Sequence, residues 1–112
     1  MKIAIVTGAS SGMGRETAIQ LADRFGGLSE IWLVARREER LKELEQQIPV
    51  PVRIFAIDLT KKEELEQLTQ ALKETKPEVK FLVNASGYGK IGLVGAVSLA
   101  ILGQPSRWII IP

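Results

Sequence analysis

At 112 residues, the chain suffices for one domain with a true core but not for two ordinary ones, and its 46% hydrophobic and 25% charged content excludes a disordered or fibrous protein. The 15 basic and 13 acidic residues are interspersed to a net charge of +2, so no basic stripe for nucleic acid is expected. The absence of cysteine excludes a disulfide framework, a thiolate zinc site and a cysteine nucleophile, and fits a reducing, cytoplasmic location.

Lys2 to Thr7 is an apolar, β-rich run without alternation, as in a strand covered on both faces, and it stops at Gly8. No signal peptide is expected there, because the run enters glycine-rich sequence directly. After the turn, Ala18, Leu21, Ala22 and Phe25 recur at helical spacing and predict a helix that ends at Gly26-Gly27. Glu30 to Ala35 predicts a second strand, and Leu41, Leu44 and Ile48 predict a second helix that Pro49 and Pro51 break.

Arg53 to Ile57 predicts a third strand ending at Asp58. Thr60 then reads as an N-cap with Glu63 three residues on, a capping box for a third helix whose buried face carries Leu65, Leu68 and Leu72. Pro77 closes that helix, and Phe81 to Val83 predicts a fourth strand that stops at Asn84-Ala-Ser-Gly87. Strict alternation at these lengths implies right-handed βαβ units. The expected fold class is α/β, a partial Rossmann-like doubly wound parallel sheet of four or five strands.

From Ile91 to Pro112 only Arg107 is charged and helical periodicity fades. The apolar run from Ile91 to Leu102 falls well short of the ~18–20 residues that span a bilayer, so no membrane partner is expected. Residues 1–92 are therefore read as a Rossmann-like half and 93–112 as an atypical apolar tail. Three readings of the tail stand: an out-of-frame or joined terminus, which is favoured, a shortened crossover leading to a fifth strand at Arg107 to Ile111, or a surface that faces a partner.

The segment from Thr7 through Gly8, Ser10, Ser11, Gly12, Met13 and Gly14 lies between a strand and an amphipathic helix. Glycines there permit a tight turn and a close approach of backbone to a pyrophosphate, whose charge meets the amides of the helix N-terminus. The Gly-Lys-Ser/Thr end of a P-loop is missing, and the spacing is not that of the six-residue dinucleotide fingerprint. Thr-Gly-x-x-x-Gly-x-Gly resembles the cofactor motif of the short-chain dehydrogenase/reductase family. A plain strand-to-helix turn is the bland alternative.

About 20 residues beyond the last glycine, where an acid would hold a bare ribose, the chain has Arg36 and Arg37. A guanidinium binds a 2′-phosphate bidentately and stacks on adenine, so NADP(H) is the expected cofactor. Solvated loop charges balanced by Glu38 and Glu39 are the alternative. Asp58 and Leu59 resemble the family's adenine-contacting pair, against an Asp that only starts a turn. Asn84, Ala85, Ser86 and Gly87 look like the family's Asn-Asn-Ala-Gly segment, with Ala85 and Ser86 as departures.

The resemblance implies an oxidoreductase acting on carbonyl or alcohol groups. Its Tyr and Lys four residues apart, with their Ser and Asn, are not found: the sole tyrosine, Tyr88, stands two residues from Lys90. The chain is thus expected to bind NADP(H) without turnover and to self-associate as a homo-oligomer through exposed apolar surface. A non-catalytic nucleotide-binding module and a structural fragment that binds nothing are the rival readings.

Overall fold

The computed structural model describes residues 1–10, 12–85 and 107–110. The first apolar run is strand β1 (Lys2–Thr7), followed by helix α1 (Gly12–Arg24), strand β2 (Glu30–Ala35), helix α2 (Glu38–Glu45) and strand β3 (Val52–Ala56). Helix α3 (Lys62–Thr75), strand β4 (Glu78–Asn84) and strand β5 (Arg107–Ile110) complete the order. All neighbouring strands pair in parallel, in the order β3-β2-β1-β4-β5.

That order starts at β1, runs outward through β2 to β3, then reverses to place β4 on the other side of β1. A right-handed crossover must put α1 and α2 on one face and α3 on the other. The core divides accordingly. Ala4, Val6, Ile31, Leu33 and Val83 pack with Ala18, Leu21 and Ala22 of α1 and Leu41 and Leu44 of α2. Ile3, Ile5, Trp32, Val34, Phe55 and Leu82 pack with Leu68, Ala71 and Leu72 of α3. Alternate residues of one strand thus serve opposite layers, which is why β1 and β2 read as continuous apolar runs.

The boundaries of β1 and β2 match those expected from the sequence. β3 begins and ends one residue earlier than expected, and β4 extends back to Glu78 because it pairs along the full length of β1, from Lys2 opposite Glu78 to Thr7 opposite Asn84. The fifth strand pairs Phe81 with Arg107 and Asn84 with Ile110.

Three local expectations require correction. Phe25 does not extend the buried stripe of α1: the helix ends at Arg24, and Phe25 is 44% exposed with its ring 4.7 Å from that of Phe81. Ile48 lies beyond the end of α2, buried under the turn that leads to Pro49. Thr60 is not the cap of α3; Lys61 is, with extended backbone and no side-chain capping bond. The amide of Thr60 donates to Asp58 Oδ1 at 2.9 Å in an Asx-type turn, and its hydroxyl donates to the same oxygen at 2.6 Å, which holds Thr60 in the turn before the helix. At the other end Lys76 takes the left-handed conformation, φ 47°, and donates its amide to Leu72, so Pro77 follows a closed helix end.

Candidate cofactor-binding site

In an open parallel sheet the crevice for ligands forms where the strand order reverses, beyond the carboxyl ends of the two strands concerned. Here those ends are Thr7 of β1 and Asn84 of β4, and each is followed by one of the motifs singled out in the sequence. Both side chains are buried, at 1% and 6% exposure, in the floor of the crevice. The Thr7 hydroxyl donates to Asn84 Oδ1 at 3.0 Å and lies 3.3 Å from the Val83 carbonyl. Ala85 continues the ladder, its amide donating to the Thr7 carbonyl at 3.1 Å. The two strands are therefore tied together at the point where they would otherwise splay.

The chain leaves β1 by bending toward β2. The amides of Gly8 and Ala9 both donate to the Val34 carbonyl, at 2.9 and 3.3 Å, so they belong to the scaffold. Gly8 holds φ at 69° and Gly12 at 59°, values that L side chains rarely adopt. Gly14 is required for a different reason. A Cβ there would meet the Gly8 carbonyl oxygen and stand 2.9 Å from the Gly8 carbonyl carbon and 3.0 Å from Ala85 Cβ. The bare backbone of Gly14 thus lets α1 descend onto the sheet with its first turn directed at the crevice.

That first turn contains no acidic residue of its own, so the helix does not offset its own positive end. Ser10 is half-buried beside it, and Met13 projects at 66% exposure while its carbonyl accepts from the Thr17 hydroxyl at 2.6 Å. Ser11 lies outside the described residues, as do Ser86 and Gly87 of the other motif and Tyr88.

Arg36 and Arg37 follow the end of β2 on the same rim, both exposed. Glu38 pairs along α2 with Lys42, at 3.5 Å. Ile57 donates its amide to the Ala35 carbonyl at 2.9 Å, which carries the chain past the end of β3 and sets Asp58 beside Arg36. The carboxyl of Asp58 is held below the ordinary value of 3.8, first by the Thr60 hydroxyl and amide that bond to it and then by the positive charge of Arg36 and Lys61. Leu59 is half-buried and packs on the α3 side of the core.

The described candidate residues therefore come together along one edge: the glycine turn at the centre, Asn84 and Ala85 on one side, and Arg36, Arg37, Asp58 and Leu59 on the other. One polar side chain of this edge escaped the sequence reading. Glu64, on the first turn of α3, accepts from the Asp58 amide at 3.1 Å. Its signal is a glutamate three residues after the cap Lys61, masked in the sequence by Thr60 and Glu63, which fit the same pattern one residue earlier. Among the described residues there is no cluster that could hold a metal ion and no helix long and apolar enough to cross a membrane.

Sheet order, crossover faces and crevice define a doubly wound nucleotide-binding fold. The chain belongs to the short chain dehydrogenase family, whose profile matches residues 2–100. An uncharacterized oxidoreductase of Staphylococcus epidermidis is 37% identical over 86 residues, covering 77% of this chain and 36% of that protein. Sulfoacetaldehyde reductase 2 of Chromohalobacter salexigens is 39% identical over 107 residues, covering 94% of this chain and 37% of the relative. Among solved structures, L-sorbose reductase from Gluconobacter frateurii, in complex with NADPH and L-sorbose, superposes with a TM-score of 0.71 at 27% identity. The match covers 89% of this chain and 45% of that one. The chain thus spans little more than a third of the length of these curated relatives.

Proposed function

We propose that the chain binds NADP(H) across the carboxyl ends of β1 and β4, as the nucleotide-binding part of an oxidoreductase that acts on carbonyl or alcohol groups. The observation that carries this reading is the close approach at Gly14, where the absence of a side chain brings the N-terminus of α1 against the glycine turn, the placement in which helix amides meet a pyrophosphate. Gly8, Ser10, Ser11, Gly12, Met13 and Gly14 would line the phosphates. Asp58 would accept from the adenine amino group with Leu59 beside it, and Asn84 to Gly87 would run along the ribose. The cofactor, when bound, supplies the hydride chemistry; the residues described here position its adenine half.

The preference for the 2′-phosphate rests on Arg36 and Arg37. A carboxylate at the end of β2 would repel that phosphate, whereas an exposed guanidinium binds it with two parallel hydrogen bonds. Two related solved structures are described as complexes with NADPH or NADP, which supports the reading. The test is titration with NADPH and NADH by fluorescence or calorimetry. A charge-assisted contact of ~1.5–3 kcal/mol predicts at least a roughly tenfold preference for NADPH, and Arg36→Asp should reverse it. Equal affinities would refute the preference.

The 112 residues contain no Tyr-x-x-x-Lys, and the groups identified here all serve the adenine, ribose and pyrophosphate. Binding without turnover is the phenotype that follows for the isolated chain. Self-association is the accompanying proposal. Its support is the sequence from Leu93 onward, where Arg107 is the one charged residue, a composition that suits a covered surface.

A further inference from the structure

We infer that Glu64 is a positioning residue of the cofactor site: its carboxylate holds the Asp58 amide and thereby aims the Asp58 carboxylate at the adenine edge. The inference rests on the cofactor reading above and adds a residue and a mechanism to it.

The loop between β3 and α3 is short and would be free to pivot at its β3 end, because the ladder to β2 finishes with the Ile57 amide. Beyond that point Asp58 is held by three sets of bonds. Its carbonyl accepts from the Lys61 amide at 3.0 Å, and its Oδ1 accepts from the Thr60 amide at 2.9 Å and the Thr60 hydroxyl at 2.6 Å. These bonds shape the turn internally, and Leu59 packs on the α3 side of the core beneath it. The Asp58 backbone itself gains a side-chain tie to α3 by donating its amide to Glu64 Oε1 six residues away.

Glu64 is suited to that task. It stands three residues after the N-cap Lys61, where a glutamate ordinarily folds back on the cap's own amide. Here it reaches three residues further, to Asp58. Its other oxygen lies 3.8 Å from Lys61 Nζ, and its side chain is 31% exposed, so its carboxylate has partners on both sides. The helix that carries it is seated on the sheet by Leu68 and Leu72, both buried. The chain of support therefore runs from the core through α3 and Glu64 to the Asp58 backbone. It ends at a carboxylate whose remaining charged neighbours are Arg36 and Lys61.

A carboxylate accepts from the exocyclic amine of adenine but repels the carbonyl oxygen that hypoxanthine carries at the same position. The structure thus assigns Glu64 an effect on base discrimination, apart from any effect on stability. The experiment is calorimetric titration of the unaltered chain, Glu64→Ala and Glu64→Gln with NADPH and with its hypoxanthine analogue. The unaltered chain should favour the adenine cofactor by roughly tenfold or more, since an opposed pair of acceptors costs about one charged hydrogen bond.

Glu64→Ala should lose most of that ratio. Glu64→Gln, which keeps an acceptor for the Asp58 amide, should retain it. A merely structural role would lower both affinities together and leave the ratio unchanged in Glu64→Ala, which overturns the assignment. An equal loss of the ratio in Glu64→Gln overturns it as well. If Glu64→Ala does not fold, Glu64→Asp replaces it: one methylene shorter, it should lose the ratio, and retention overturns the inference. Failure of the unaltered chain to bind NADPH at all refutes the cofactor reading, and this assignment with it; binding with an unchanged ratio refutes the assignment alone.

Discussion

Replacing Gly14 by alanine tests the close approach of α1 to the glycine turn. In an ordinary helix the exchange stabilises by roughly 0.5–1 kcal/mol, because glycine loses more backbone freedom on folding. Here the new methyl group would meet the Gly8 carbonyl oxygen and lie 2.9 Å from the Gly8 carbonyl carbon and 3.0 Å from Ala85 Cβ. Neither neighbour is the tip of a flexible side chain. Gly8 is anchored by its amide to Val34, and Ala85 by its amide to Thr7, so α1 itself must lift. Overpacking of this kind costs about 1–3 kcal/mol and here falls on backbone, at the upper end of that range. Setting the helix gain against it leaves a net loss of about 1–2.5 kcal/mol. For a domain of this size the melting temperature should fall by roughly 4–10 °C. NADPH affinity should fall as well, because the lifted helix withdraws its N-terminal amides from the phosphates. Gly26→Ala is the matched control: nothing lies within 4 Å of its added methyl, so stability should be unchanged or slightly raised. Thermal unfolding followed by circular dichroism decides the matter. If Gly14→Ala melts with the unaltered chain, the close approach of α1 to the glycine turn is wrong.

Thr60→Val removes the hydroxyl that contributes most to the depressed Asp58 pKa, so that pKa should rise toward 3.8; a carboxyl carbon NMR titration that shows no movement would contradict the turn geometry. Because the folded value is the lowered one, the contribution of Asp58 to stability is present above the unfolded pKa and is lost as pH falls through the folded value. An acid-unfolding profile below about pH 4 should accordingly lose part of its slope in Asp58→Asn. The purified chain should show no carbonyl-dependent oxidation of NADPH at 340 nm, and Tyr88→Phe should change nothing; a rate that vanishes in that variant would make Tyr88 catalytic. Sedimentation at micromolar concentration should show species larger than the 12.3 kDa monomer, and a clean monomer would oppose self-association.

Much of the fold was legible because parallel strands buried on both faces need uninterrupted apolar residues, and Lys2–Thr7 and Glu30–Ala35 supply them with glycine or charge at either end. The glycine turn was legible for a related reason: positive φ at Gly8 and Gly12 and an absent side chain at Gly14 are demands that almost no other residue meets. Arg36, Arg37 and Asp58 could be singled out because they stand where strands end.

Other features depended on partners distant in sequence. The full length of β4 follows from pairing with β1, some 76 residues away, and a run as polar as Glu78 to Lys80 carries no strand signal of its own. Phe25 has the spacing of a buried helical residue, yet the helix stops before it and its ring finds Phe81 instead. The cap of α3 moved for a local reason instead: Thr60 and Glu63 fit a capping box, but Asp58, only two residues before, takes the Thr60 amide and hydroxyl, and the cap falls on Lys61. Local patterns determine which conformation a segment prefers. Which strand a polar run pairs with, and which ring a residue at a helix end meets, depends on where the sheet sets them, and only the tertiary structure decides that.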